Sequence, residues 1–441
     1  MRVVIVGAGL AGLTAAEALV AAGADVVVLE ASSRVGGRTF TRHDRFVAGQ
    51  YAEAGAEWID TVHGRVHALV HRFGLTLDPN TTTWTAVRRW LHRDGVLLGP
   101  EQMHRIDPAL ATDLERLEAF IADVARGIAD PAEPHLHPHA GRYDAMSVGD
   151  LIVDLRLGEL ARLFATRNMQ GEFAAEPGEV SVLFIAQQRA VYAAQAARYG
   201  HVEAQRLLGG VSAISEGLAA ALPAGTLRLD EPVVAVDLAA DHACVRTDDA
   251  AVDADHVILA CSLVAARRIA FSPPLPSALD AALQGLGYGT VTKTALQYAS
   301  RPWPAGYATT ASAVQRVYEP TAALPGEHGI LMAYTGGDEG RALGELSESV
   351  RMDLVEDQQR EMYAALPRRV GGFAQAWSAE PLFGGSYAVY RPGEVTRYWA
   401  VLRRPHGRLH IAGEHAATCT GYLEGALESG ESVAARLIAG D

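Results

Sequence analysis

Residues 3–6, Val-Val-Ile-Val, form an unbroken β-branched run, the pattern of a parallel strand buried on both faces. A glycine-rich turn and an Ala- and Leu-rich helical run to Ala22 follow, and then a second apolar run over 26–29. That order predicts a βαβ unit. Periodicity next predicts a helix over 63–73 and long amphipathic helices over 108–128, 157–170 and 180–198. Asp94-Gly95, between runs 88–92 and 96–98, reads as a hairpin turn. After Leu207-Leu208-Gly209-Gly210-Val211, a helix to Leu222 leads into strand-like runs over 232–237, 242–247 and 254–260. Pro273, Pro274 and Pro276 close that stretch, because proline fits neither a helix interior nor a central strand. Alternation from Val291 reads as a strand; the runs 329–334 and 347–366 follow, and a final helix opens at Tyr422 and ends at Ile438.

The expected fold class is α/β. At 441 residues the chain is too long for one ordinary core, so two domains are expected. The net charge of −14 argues against a nucleic-acid partner and would mildly attract cations. Cys244, Cys261 and Cys419 have neither metal nor disulfide spacing, consistent with a reducing compartment. The only histidine cluster, His135-Leu136-His137-Pro138-His139, reads as a Pro-rich loop, and no metal site is expected. No secretory leader, membrane span or anchoring tail is expected either, and a cytoplasmic location follows as the expectation.

Candidate chemistry begins at the first turn. Gly7, Gly9 and Gly12 have G-x-G-x-x-G spacing, which lets the backbone approach a pyrophosphate at a helix N-terminus. Glu30 ends the second strand and can accept the ribose hydroxyls of an adenosine, which argues against a 2′-phosphate and NADP. Glu30-Ala31 then leads to Gly36-Gly37-Arg38, a second glycine pair with an arginine suited to the pyrophosphate. An NAD-dependent dehydrogenase has no use for that extension, so FAD is the expected cofactor.

This arrangement resembles the flavin amine oxidase family, which includes monoamine, polyamine and L-amino-acid oxidases; among these it is nearest in motif to soluble bacterial monoamine-oxidase-like enzymes. The resemblance implies a Rossmann-like FAD domain assembled from 1–77, 207–284 and 383–441, with an inserted α+β substrate domain from 78–206 and 285–382. It implies that Gly55, Ala56, Glu57 and Trp58 run along the flavin ring, and that Val233 makes a main-chain contact beside the adenine. Lys293, the single lysine of the chain, falls where the family keeps a lysine bonded through water to flavin N5. Arginine, planar and permanently charged, could not replace it there. Trp377 would pack near the flavin, and Gly413-Glu414 would meet its ribityl–pyrophosphate portion. Tyr422 and Leu423 open a helix whose N–H groups would face the flavin C2 carbonyl. Tyr387 and Tyr422 match the paired tyrosines that orient the substrate nitrogen.

Departures from the family pattern also carry information. Ser386 stands where mitochondrial monoamine oxidases have the cysteine that binds FAD, so the FAD should be non-covalent. Cys419 replaces a tryptophan near the tyrosine pair, implying a pocket of different shape. Trp58 stands where L-amino-acid oxidases place a carboxylate-binding arginine, so that activity ranks lower. Glu57 and Asp60, the latter matching a glutamate of plant polyamine oxidases, could bind an ammonium or move a proton.

The expected reaction is oxidation of a small-molecule amine to an imine, with hydride passing to flavin N5 and O2 reduced to H2O2. Three alternatives stay open: a biosynthetic oxidase that traps its imine intramolecularly, an L-amino-acid oxidase, and a non-catalytic flavoprotein scaffold. A homodimer is left open as the assembly.

Overall fold

The computed structural model describes residues 1–79, 89–200 and 202–440. The opening unit is a strand Arg2–Val6, a helix Leu10–Ala21 and a strand Asp25–Leu29. The two strands pair in parallel, Val3 opposite Val26 and Val6 opposite Leu29, and their apolar residues are all buried. They sit inside a five-stranded parallel sheet ordered Leu409–Ile411, His256–Leu259, Arg2–Val6, Asp25–Leu29, Leu227–Arg228. Parallel neighbours need long crossovers, which is why this sheet draws strands from three distant stretches of chain. The last helix, Leu423–Ala439, packs on the first: a Cβ at Gly430 would come within 2.3 Å of the Ala11 carbonyl oxygen.

A second, seven-stranded sheet has the order Arg369–Ala376, Val291–Tyr298, Gly329–Gly336, Arg316–Tyr318, Tyr307–Thr310, Arg89–Arg93, Val96–Leu98. Every residue of Val291–Tyr298 is buried, so this strand forms part of the sheet's covered centre. The hairpin expected at Asp94-Gly95 forms from Arg89; residue 88 lies outside the described residues. Helices Leu110–Arg126, Glu159–Glu172 and Val182–Tyr199 pack together through Leu117, Ile121, Ala161, Ala165 and Phe184.

The expected strand 254–260 forms as His256–Leu259, and a further strand not read from the sequence, Ala251–Ala254, ends at the first residue of that run. Ala251–Ala254 pairs with Ala243–Thr247 in a separate four-stranded sheet, whereas His256–Leu259 joins the parallel sheet beside Arg2–Val6. Asp255 lies at the switch, its N–H donating to the Arg2 carbonyl and its carboxylate accepting from the Arg2 N–H. Apolar content alone carries no mark of that change of sheet. Among the described residues, no helix is long and apolar enough to cross a membrane.

Candidate active site

The first turn is shaped by steric limits. Gly7 has φ +108°, open to glycine, and a Cβ on Gly12 would lie 2.0 Å from the Gly7 carbonyl oxygen. Gly9 caps the helix Leu10–Ala21 without any side-chain hydrogen bond, and a Cβ there would meet nothing within 4 Å. The helix therefore presents its unsatisfied N–H groups to open space, the requirement of a phosphate cradle. Glu30 stands at the rim. Its carboxylate accepts from the Ala8 N–H at 2.7 Å and from the Ser32 N–H and hydroxyl at 2.9 and 2.7 Å, leaving one acceptor position for a ribose hydroxyl. Ala31 lies between these partners, and the Glu231 N–H, two residues before Val233, donates to the Glu30 carbonyl. Gly36 bridges to Gly9, and a Cβ on Gly37 would lie 3.6 Å from the Gly9 Cα, so both glycine pairs line one cleft. These residues fit a dinucleotide.

Arg38 is tied more firmly to the chain than its sequence position suggests. Its Nη1 donates to the Ser386 carbonyl at 2.7 Å and to Glu414 at 2.9 Å. Burial opposes its charge, but Glu414 outweighs that and raises its pKa. Glu414 also accepts from the N–H groups of Ala388 and Gly421, the residues flanking Tyr387 and Tyr422. Gly413, at φ +146°, precedes it; a Cβ there would run into the His415 ring at 2.4 Å.

Lys293 and residues 53–57 form the densest polar cluster. Lys293 Nζ donates to the Gly55 and Glu53 carbonyls at 2.9 and 3.2 Å and to Glu57 Oε2 at 2.8 Å. The Tyr318 hydroxyl donates to the same Glu57 oxygen at 2.5 Å, and Arg206 Nε lies 3.0 Å from Oε1. Burial would raise the Glu57 pKa, yet Lys293 and Arg206 together hold it below the ordinary value. The segment is pinned from other sides too. Trp377 donates its indole N–H to the Ala54 carbonyl at 2.8 Å, the Ala56 N–H donates to the Arg38 carbonyl, and a Cβ on Gly55 would lie 1.9 Å from that carbonyl oxygen. The Arg206 guanidinium stacks over Trp58 at 4.3 Å.

Glu53, two residues before Gly55, behaves differently from Glu57. Burial raises its pKa from 4.5 to about 7, against the Val211 N–H and Thr41 hydroxyl bonds that hold its charged form. The folded protein thus keeps this proton up to about 7, while the unfolded chain releases it near 4.5. Stability falls as pH rises between those values, by on the order of 3 kcal/mol, and is flat above them. Glu53→Gln should remove the fall, so its thermal midpoint should gain on the parent from pH 5 to pH 8. A constant difference across that range would disprove this titration.

The two tyrosines approach from separate elements. Tyr387 hydrogen-bonds Tyr334, hydroxyl to hydroxyl at 2.7 Å, and its Cδ2 would lie 3.6 Å from a Cβ on Gly421. Tyr422 caps Leu423–Ala439 without a side-chain bond and meets Tyr192 edge-on, ring centres 5.6 Å apart. Asp60 belongs to this side: it accepts from the Tyr192 hydroxyl at 2.6 Å and lies 3.6 Å from His63 Nε2, a histidine whose pKa burial pushes down. The two candidate acids therefore occupy different networks, Glu57 with Lys293 and Asp60 with Tyr192. Sequence reading missed Arg206, Tyr318, Tyr334 and Tyr192. Tyr334 had one available signal, its place in the apolar run 329–334, since it faces Lys293 across the strand pair.

The chain matches the family model of flavin containing amine oxidoreductases over residues 10–438. It is 29% identical to amine oxidase [flavin-containing] B of Sus scrofa and 28% identical to that of Homo sapiens, covering 99% of this chain and 86% of each relative. Cyclohexylamine oxidase from Brevibacterium oxydans IH-35A shares the fold at TM-score 0.88 and 24% identity, over 100% of this chain and 99% of that one. Wild-type putrescine oxidase bound to putrescine superposes at TM-score 0.86 with 26% identity, over 100% and 99%. The chain belongs to the flavin-containing amine oxidoreductase family.

Proposed function

We propose that the protein is an amine oxidase that holds FAD non-covalently and uses oxygen as electron acceptor. The supporting observation is that Lys293 is locked to residues 53–57 and lies opposite Tyr334, whose hydroxyl bonds that of Tyr387. The first-turn glycines and Glu30 would hold the adenosine and pyrophosphate, Arg38 the phosphate charge, and the uncapped N–H groups at Leu423 the flavin end. Bound there, FAD would supply the acceptor for a hydride from the amine α-carbon and the means of passing that electron pair to O2 as H2O2. Tyr387 and Tyr422 orient the amine nitrogen between their faces. Lys293, hydrogen-bonded to Glu57, holds the water that meets oxygen. Ser386 offers no thiol for a covalent bond; its hydroxyl donates to the Gly289 carbonyl.

The test is to mix purified yellow protein anaerobically with primary amines, polyamines and L-amino acids while following flavin absorbance. Bleaching by one class, with intact FAD released on acid denaturation, is the expected result. A colourless protein, or flavin reduced by dithionite but by no amine, would overturn the proposal.

A further inference from the structure

The inference rests on the amine-oxidase reading above and concerns what else the substrate carries. Lys293, Tyr334 and Arg316 lie opposite one another on three adjacent antiparallel strands, so their side chains leave the same face of the seven-stranded sheet. Arg316 is thus two strands, roughly 10 Å, from the lysine. Tyr334 stands between them with its hydroxyl on Tyr387. The Arg316 charge is felt at Tyr387 and Tyr334, two tyrosines whose pKa burial raises and this guanidinium opposes.

What Arg316 lacks is an anion. Both of its hydrogen bonds leave from Nη2, to the Arg167 carbonyl at 2.8 Å and Asn168 Oδ1 at 3.3 Å. No carboxylate among the described residues lies within 4.0 Å of it, whereas Arg167 pairs with Glu339, and Arg206 and Lys293 with Glu57. Arg89 and Arg167 instead repel it. Nε and Nη1 remain as two donors in the fork that matches a carboxylate. Room for the fork is made by Gly171, at the end of the helix Glu159–Glu172: a Cβ there would lie 2.1 Å from Arg316 Cζ. A half-buried guanidinium with donors left over, held opposite Tyr334, which bonds the tyrosine that would orient the amine, is a receptor for negative charge.

We propose that Arg316 binds a carboxylate borne by the amine substrate, which makes amino acids the substrate class. The arginine expected at Trp58 in L-amino-acid oxidases is absent, and the proposed anion site lies on the strand Arg316–Tyr318, whose Tyr318 ring centre is 6.3 Å from that of Trp58.

The experiment compares anaerobic flavin reduction by pentylamine, 5-aminopentanoate and 1,5-diaminopentane, and by phenethylamine and L-phenylalanine. Benzoate and benzamide are titrated calorimetrically into the same flavin-loaded protein. The carboxylate-bearing member of at least one set should be preferred by about tenfold or more, and benzoate should bind where benzamide does not. Arg316→Gln should reduce both preferences by about tenfold. Gly171→Ala should do the same by pushing the flexible guanidinium aside, and it keeps the helix, so a folding defect in the arginine variant cannot mimic the result. The five-carbon and aromatic sets separate a remote carboxylate from one on the amine carbon. Preference for the plain amine or the diamine would overturn the proposal, as would benzoate affinity unchanged in Arg316→Gln. If no amine of any kind reduces the flavin, the amine-oxidase reading falls, and the benzoate titration alone decides the role of Arg316.

Discussion

Lys293→Met is expected to slow reoxidation of the reduced flavin by oxygen about a hundredfold or more, the scale seen when one preorganised charged or hydrogen-bonding group is removed. The substitution also strips Glu57 of a buried counter-charge at 2.8 Å. Breaking a buried pair costs about 3–5 kcal/mol, and Arg206 on the other carboxylate oxygen should hold the loss near the lower end. These two consequences can be separated. Lys293→Met/Glu57→Gln removes both charges, so thermal stability should return toward the parent while reoxidation stays slow. Stopped-flow mixing of reduced protein with oxygenated buffer, beside thermal unfolding, reads both. A single variant that reoxidises at the parent rate would remove the role assigned to the lysine.

Glu414→Ala should have an effect of similar size on stability and a larger one on flavin retention. Its carboxylate joins Arg38 to the N–H groups of Ala388 and Gly421, so one side chain ties the phosphate-side arginine to the chain positions beside both tyrosines. Without it the half-buried Arg38 guanidinium loses its ion-pair partner and two buried or half-buried backbone donors lose theirs, a loss of about 3 kcal/mol. Flavin should be shed during gel filtration, and the fraction that stays bound should be reduced slowly by substrate. Glu414→Gln keeps an acceptor oxygen but no charge, and should fall between parent and alanine. Full flavin content and an unchanged thermal midpoint in Glu414→Ala would show that Arg38 and the tyrosines are placed by other contacts.

The carboxylates show how far local reading reaches. Glu57 and Asp60 are three positions apart and look equivalent on paper, yet one closes a cluster with Lys293, Arg206 and Tyr318 and the other bonds Tyr192. Glu53 carried no mark of its own, and its raised pKa comes from burial between Thr41 and Val211, which only the folded chain brings together. Arg316 is one arginine among many until strand register sets it in line with Tyr334 and Lys293.

Sequence by itself determined what short-range sterics and periodicity control. The glycine turn at 7–12, the acid at 30, the strand and helix order of the first unit, the hairpin at Asp94-Gly95 and the helix opening at Tyr422 are all set within a few residues of chain. Tertiary structure decided the pairings. The Lys293–Glu57 bond joins positions 236 residues apart, and the Arg38–Glu414 bond joins positions 376 apart. Contacts at such separations depend on sheet order and register, and pairwise register leaves no trace in either partner's local pattern. The same cause put Ala251–Ala254 and His256–Leu259 in different sheets and set the Arg316 guanidinium, without a carboxylate partner, opposite Tyr334.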